Sequence, residues 1–271
     1  MPVILQNIVH PIKSKILNIE SLRINEGEFV GIIDAGEGGA AELGRIICGF
    51  IHPEQGRLSL HGADEQQSAV PFFFECECEK TFCETSVEKE VCRYIKGTKL
   101  KKDKLSEEAK SALELVGFDY DTIKSLSPFE LSKGDRRRIA LAAALTVHPE
   151  IIVLNDPMKE MDGRWCGCFM ELMKEINKKG TTVILLSADT SRLSEAADRV
   201  IIMKNGEIVI DSSAKNVFSE YYALVHLGLP VPEVRKCCQM LRARGMDIPN
   251  NIILYDQFID RLKILMWRKN K

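Results

Sequence analysis

Along the chain, short apolar runs rich in β-branched residues alternate with longer stretches of helical periodicity. FVGII (29–33), IIVLN (151–155), TVILLS (182–187) and RVIIMKNGEIVI (199–210) have the length and composition of strands. RRRIALAAALTVH (136–148) and GRWCGCFMELMKEINKKG (163–180) repeat their apolar residues at helical spacing. Such alternation predicts a parallel sheet flanked by helices. The opening stretch, ILQNIVHPIKSKILNIESLRINEGE, predicts antiparallel strands with a turn at Glu26-Gly27, and Asn205-Gly206 predicts a hairpin. The expected fold class is α/β with an antiparallel β annex.

The character changes twice. From Thr81 to about residue 135 the segments are charged and helical, which predicts an inserted helical subdomain. Within it the basic run Lys96 to Lys104 reads as a solvated loop, and Asp64 to Ala69 as a polar surface loop. After residue 215 the strand pattern stops, and 216–271 is expected to form a small helical extension. There is no internal repeat and no low-complexity tract.

Composition narrows the classes. With 271 residues and 45% apolar content, the chain is long enough for one large domain with a core. A formal net charge of −2 gives no electrostatic drive for non-specific nucleic-acid binding. No apolar run reaches the roughly 20 residues of a membrane span, and MPVILQNIVHPIKSK lacks the features of a signal peptide. Nine scattered cysteines suit reduced thiols better than a disulfide framework. Cys76, Cys78 and Cys83 form the only cluster with metal-site character. Its C-x-C spacing and lack of a nearby histidine argue against structural zinc, so no metal is expected. Cys166, Cys168, Cys237 and Cys238 read as packing residues of helices.

GIIDAGEGGAAEL (31–43) runs from a strand through a glycine-rich turn into a helix, the outline of a phosphate-binding loop. Alone it is a weak signal. Further on come LSKGDRRRIALAAAL (131–145), PEIIVLNDP (149–157) and Met161-Asp162. This order resembles the signature motif, Walker B strand and D-loop of an ATP-binding-cassette ATPase. TTVILLSADTSRLSEAADRVIIMKNGEIV (181–209) resembles the family's switch-histidine region and closing hairpin. The resemblance covers about residues 1–215 and implies a P-loop NTPase fold of the ABC type. The tail VFSEYYALVHLGLPVPEVRKCCQMLRARGMDIP (217–249) resembles the ATPase subunits of energy-coupling-factor transporters.

The motifs are unevenly kept. Set against G-x-x-x-x-G-K-[ST], the family's lysine falls on Ala40 and its magnesium-binding hydroxyl on Ala41. Asp34 stands for the first glycine, and Glu37 and Glu42 add negative charge, while Gly36, Gly38 and Gly39 keep the turn. A carboxylate about 4 Å from a phosphate charge costs on the order of 4 kcal/mol at an effective dielectric near 20. The Walker B aspartate becomes Asn155, which brings no charge to a hard cation. The water-orienting glutamate becomes Asp156, the switch histidine Ala188 and the Q-loop glutamine Glu75. The adenine-stacking aromatic falls on Ile12, with His10 nearby. Phosphoryl transfer rests on positioning and charge neutralisation, so these losses compound and no catalytic residue is assigned. By contrast, Ser132 and Gly134 of the signature motif remain; Lys133 adds a cation there and Asp135 an opposing charge. Ser132 serves equally well as a simple helix N-cap.

The resemblance therefore implies a degenerate subunit that pairs with an active paralogous ATPase. Ser132 and Gly134 would act on the ATP and Mg2+ of that partner's site. It further implies a membrane T component and a substrate-binding S component, a vitamin or metal-ion cargo, and a peripheral place on the cytoplasmic side of the membrane. Glu75 and the segment up to Thr85 would couple closure to the membrane component. Val231, Val234, Met240, Leu241, Ile248, Ile252, Leu262 and Leu265 of the extension are expected to serve ATPase–ATPase contact, or else to cap the chain's own core. Two other functions stay open at this point: an ordinary transport ATPase using both sites, and a scaffold or regulator detached from any transporter.

Overall fold

Alternating apolar positions in β1 (Val3–Ile12) and β2 (Lys15–Ile24) bury Leu5, Leu17, Ile19 and Ile24 on one face of an antiparallel pair. The computed structural model describes residues 2–12, 15–36, 39–60, 71–75, 78–96 and 102–269. The polar segment 64–69 and part of the basic run 96–104 thus lie outside the described residues, as do Glu37, Gly38 and Cys76. β3 (Phe29–Asp34) leads to α1 (Ala40–Ile47), and β4 (Gln55–Ser59) then joins β1 to complete a three-stranded sheet ordered β2-β1-β4. This is the expected antiparallel annex.

β5 (Pro71–Glu75) begins the main sheet's outer edge. The charged insert follows as α2 (Val87–Val91), α3 (Lys102–Leu115), α4 (Tyr120–Ile123) and α5 (Lys133–Leu145), linked by short 3-10 turns. Then come β6 (Ile151–Asn155), α6 (Gly163–Lys178), β7 (Thr182–Leu186), α7 (Thr190–Ala196), β8 (Arg199–Lys204) and β9 (Glu207–Ser213). The six-stranded sheet is ordered β5-β6-β7-β3-β8-β9, parallel except for the β8–β9 hairpin at Asn205-Gly206. Its inner strands β3, β6, β7 and β8 bury continuous apolar runs because both faces are covered, whereas the edge strand β9 alternates exposed and half-buried residues. Ile151 and Val153 point toward α1 and the small sheet, while Ile152 and Leu154 point toward the helices of the other face.

The tail consists of α8 (Ala214–Ser219), α9 (Tyr221–His226), α10 (Glu233–Ala243) and α11 (Tyr255–Lys269). The boundary expected after residue 215 falls inside α8, whose Ala214, Val217 and Phe218 are buried in the main core. The extension's apolar residues turn mostly inward. Val231 joins the main core, and Val234, Leu241, Ile248, Ile252, Leu262 and Leu265 pack around Cys238 in a core of their own. Of the eight positions expected at an ATPase–ATPase contact, only Met240 is left largely exposed, at 61%. Two short helices cannot hold their angle without burying a shared face, and these residues supply it. No helix of the described residues is long and apolar enough to cross a membrane.

Candidate functional site

Parallel strands that end at one edge bring their C-terminal residues together, and in open α/β sheets ligands bind outside those ends. Here Glu75 pairs in register with Asn155, Asn155 with Leu186, and Leu186 with Ile32. The turn that follows β3, between β7 and β8, is therefore the centre of the edge. Gly39, with φ 129, lets the chain enter α1 through a conformation closed to other residues. One turn on, a Cβ at Gly44 would lie 2.9 Å from Phe73 and 3.0 Å from Leu186, so only glycine lets α1 sit this close to the sheet.

The turn's N–H groups face the chain's own carboxylates. Gly36 donates to Asp34 Oδ1 at 2.9 Å and Ala40 to Asp34 Oδ2 at 3.4 Å, while Gly39 donates to Glu42 Oε2 at 3.3 Å. Burial pushes the Asp34 carboxyl above the ordinary aspartate range. Its two backbone donors and Lys15 pull the other way, and Glu42 adds to the rise. Glu42 also lies 3.6 Å from Arg45, and Arg45 forms an ion pair with Glu75. An internal chain of charges thus runs from the start of α1 to the end of β5. Lys15, close by on β2, donates to Asn205 Oδ1 at 2.9 Å.

The described loop donors Gly36, Gly39 and Ala40 face carboxylates, Ala40 and Ala41 present methyl groups at the start of α1, and Asn155 brings no charge to the neighbouring strand end. Asp156 has φ 44 and donates its N–H to Leu186 O at 3.0 Å; burial raises its carboxyl above the usual range, with Lys159 opposing. Ala188 sits just past β7, ahead of Asp189, whose side chain caps α7 through Arg192 N at 3.1 Å. Ile12 is 3% exposed and part of the core beside the loop, so it offers no open face for a base.

The signature motif lies at the start of α5. Ser132 Oγ accepts the N–H of Asp135 at 3.1 Å and donates to Asp135 Oδ2 at 2.8 Å; Arg138 holds the other carboxylate oxygen at 3.1 Å. Ser132 and Lys133 are exposed, and Gly134 is half-buried, where an added Cβ would meet Met161 and Ser132 at ordinary contact distances of 3.7–3.8 Å. Lys133, the cation expected beside Ser132, donates to Glu160 at 2.5 Å. Glu160 follows the Walker B strand, and the loop that carries it, with φ 62 at Glu160, is what swings its carboxylate toward α5.

Sequence reasoning missed two residues. Arg45, one turn into α1, is the cation that restrains both Glu42 and Glu75; the only signal was a basic residue on the helix face below Glu42. Glu90, 3% exposed, accepts the N–H groups of Cys83 and Glu84 at 3.0 and 2.8 Å and pairs with Arg93 at 3.1 Å. It thereby fixes the segment after the expected coupling residue Glu75. The cysteine pairs also divide: Cys166 and Cys238 are buried, whereas Cys168 and Cys237 are exposed. Neighbours one or two residues apart on a helix point in directions about 100° or 200° apart, so both members of such a pair rarely share a core. Of the cluster expected to be metal-free, Cys83 is exposed, and nothing is described of the Cys76 and Cys78 side chains.

A family model described as ABC transporter matches residues 17–159. The energy-coupling factor transporter ATP-binding protein EcfA2 of Clostridium perfringens is 29% identical over the full length of both chains. Its namesake from Clostridium tetani is 28% identical over 95% of this chain and 94% of that one. Among solved structures, cbiO1 from Clostridium perfringens, titled as part of the ABC transporter complex cbiONQ, superposes with a TM-score of 0.67 at 20% identity. The match covers 83% of this chain and 93% of that one. At that identity the likeness speaks for the fold alone.

Proposed function

From the premise that the chain belongs to the ABC transporter family, we propose that it is the non-hydrolysing ATP-binding-cassette subunit of an energy-coupling-factor importer. It pairs with a paralogous ATPase whose own nucleotide loop is intact, and Ser132 and Gly134 complete that partner's ATP site. The full-length relatives named as EcfA2 support the transporter class. The single observation that carries the division of labour is the contrast between the two half-sites. The described loop donors Gly36, Gly39 and Ala40 face Asp34 and Glu42, while Ser132 stands exposed at a helix N-terminus where N–H groups and the helix dipole favour an anion.

For Ser132 to meet a γ-phosphate, its hydroxyl must leave Asp135, and Arg138 keeps that carboxylate neutralised meanwhile. The tie between Lys133 and Glu160 must likewise open if the lysine is to lend charge. Mg2+ and ATP would belong to the partner's site, where the metal would supply charge neutralisation while Ser132 and Gly134 of this chain would meet the γ-phosphate. Closure passes to the membrane component through Glu75, Arg45 and the aromatic groove between sheet and insert, lined by Phe50, Phe72, Phe73 and Tyr94. The subunit then works at the cytoplasmic face of the membrane without spanning it, and the cargo is chosen by a separate S component.

Co-expression with the paralogous ATPase and the T component tests this. Ser132→Arg is expected to abolish ATP hydrolysis by the purified complex, because the larger cation blocks the γ-phosphate position. Hydrolysis at the wild-type rate by the assembled Ser132→Arg complex would refute the trans-acting role.

A further inference from the structure

Helix α10 carries Arg235, Gln239, Arg242 and Ala243 at i, i+4, i+7 and i+8, so all four line one face. That face walls a cavity of about 420 Å³ closed on the other side by Ser219, Glu220 and Tyr222. A volume in this range suits a small molecule rather than a few waters. Arg235 is 1% exposed, the most deeply buried cation of the described residues. Its Nη2 donates to Ser219 O at 2.9 Å, but buried Nε and Nη1 have no partner. A guanidinium has five N–H donors, and those two nitrogens hold three of them.

Arg235 forms no ion pair with the described residues; Cys238 and Glu220, the latter lining the same cavity, offset its charge only in part. Burial pulls its pKa below the guanidinium range; Cys238 and Glu220 oppose that shift, and Arg242 adds to it. Arg235 also stands in the first turn of α10, where the helix dipole already repels a cation. Breaking or omitting the partner of a buried charge is strongly destabilising, so a guanidinium left this way is one awaiting an anion. Arg242 supplies a second cation at the cavity's exposed rim, and Gln239, held by Tyr222 OH at 3.1 Å, supplies a fixed amide beside it.

We propose that the C-terminal extension contains an oxyanion-binding site in which Arg235 and Arg242 hold the phosphate or carboxylate group of a small molecule. Arginine's rigid fork matches both anions. The rest of the ligand lies along Tyr222 and Ala243. The site is separate from the degenerate nucleotide loop and independent of the role proposed for Ser132. Occupancy ties α10 to the end of α8 through Ser219, and so sets how firmly the extension is held to the main core.

Thermal unfolding of the full chain, at constant ionic strength made up with chloride, tests this with inorganic phosphate and with citrate as separate arms. At least one is expected to raise the midpoint saturably, and the stronger one identifies the ligand class. Arg242→Gln should weaken that ligand about tenfold, as loss of one charge-assisted contact does. Arg235→Met should remove the response. Arg242 is exposed, so its variant folds and keeps the comparison valid even if Arg235→Met does not. No saturable shift in either arm, or shifts unchanged in Arg242→Gln, would overturn the proposal. A response that arises only when the paralogous ATPase is present would do so too, because Arg235 would then be answering a carboxylate of that subunit.

Discussion

Asp34 Oδ2 accepts the N–H of Ala40 at 3.4 Å, the donor that opens α1 where a phosphate-binding loop would present its lysine residue. With Oδ1 on Gly36 and Glu42 on Gly39, the loop carries its own anions. Restoring the lysine is then not enough. Ala40→Lys alone is expected to leave MgATP binding too weak to saturate at millimolar concentration in calorimetry. Adding Ala41→Ser, Asp34→Gly and Glu42→Thr should produce saturable binding. Saturable binding by the single variant would show that the carboxylates do not block the loop.

The Asp34 carboxyl lies above its ordinary value, which fixes a sign. A folded-state pKa above the unfolded one means that the folded protein holds the proton more tightly. The associated stability is present at low pH and is lost as pH rises through the folded pKa. At pH 7 the ionised group is therefore a liability. Asp34→Asn should raise the unfolding midpoint at pH 7, and the gain should vanish as pH falls toward the free aspartate value of about 4. A midpoint lowered at pH 7 would mean that the N–H contacts outweigh desolvation.

Ser132 also has a local role that can be measured without any partner. As the N-cap of α5 it answers the N–H of Asp135, and removing such a cap costs about 1 kcal/mol. Ser132→Ala in the isolated chain should thus lower the midpoint by roughly 2–4 °C. An unchanged midpoint would show that the hydroxyl contributes nothing to the resting helix.

Glu90 anchors the segment after β5 by accepting two N–H groups and pairing with Arg93. Glu90→Ala leaves those part-buried donors and Arg93 without their acceptor, for a loss of about 1–3 kcal/mol by denaturant unfolding. Glu90→Gln keeps an acceptor and should lose less than half as much. Equal losses would assign the effect to packing.

The parallel sheet with its antiparallel annex, the helical insert and the signature helix were legible because they rest on local pattern: apolar runs, helical spacing and a serine before an apolar helix. The residue types at Ala40, Ala41 and Asn155 were equally plain, since a missing charge or hydroxyl is read directly from the chain. What sequence could not give was direction. Glu42 turning back to Gly39, Arg45 bridging to Glu75 and Lys133 reaching Glu160 all depend on how helices sit over strand ends far away in the chain. The inward use of the extension's apolar residues was hidden for the same reason, because a helix face is committed only when its neighbour is known.

The central claim, that one of the two cassettes holds no nucleotide of its own, is tested most directly by counting. Equilibrium dialysis of MgATP against the complex of this chain with its paralogous ATPase and T component, under non-hydrolysing conditions, should give one bound nucleotide per complex. Two bound nucleotides, with the second lost when residues 34–42 of this chain are altered, would contradict it.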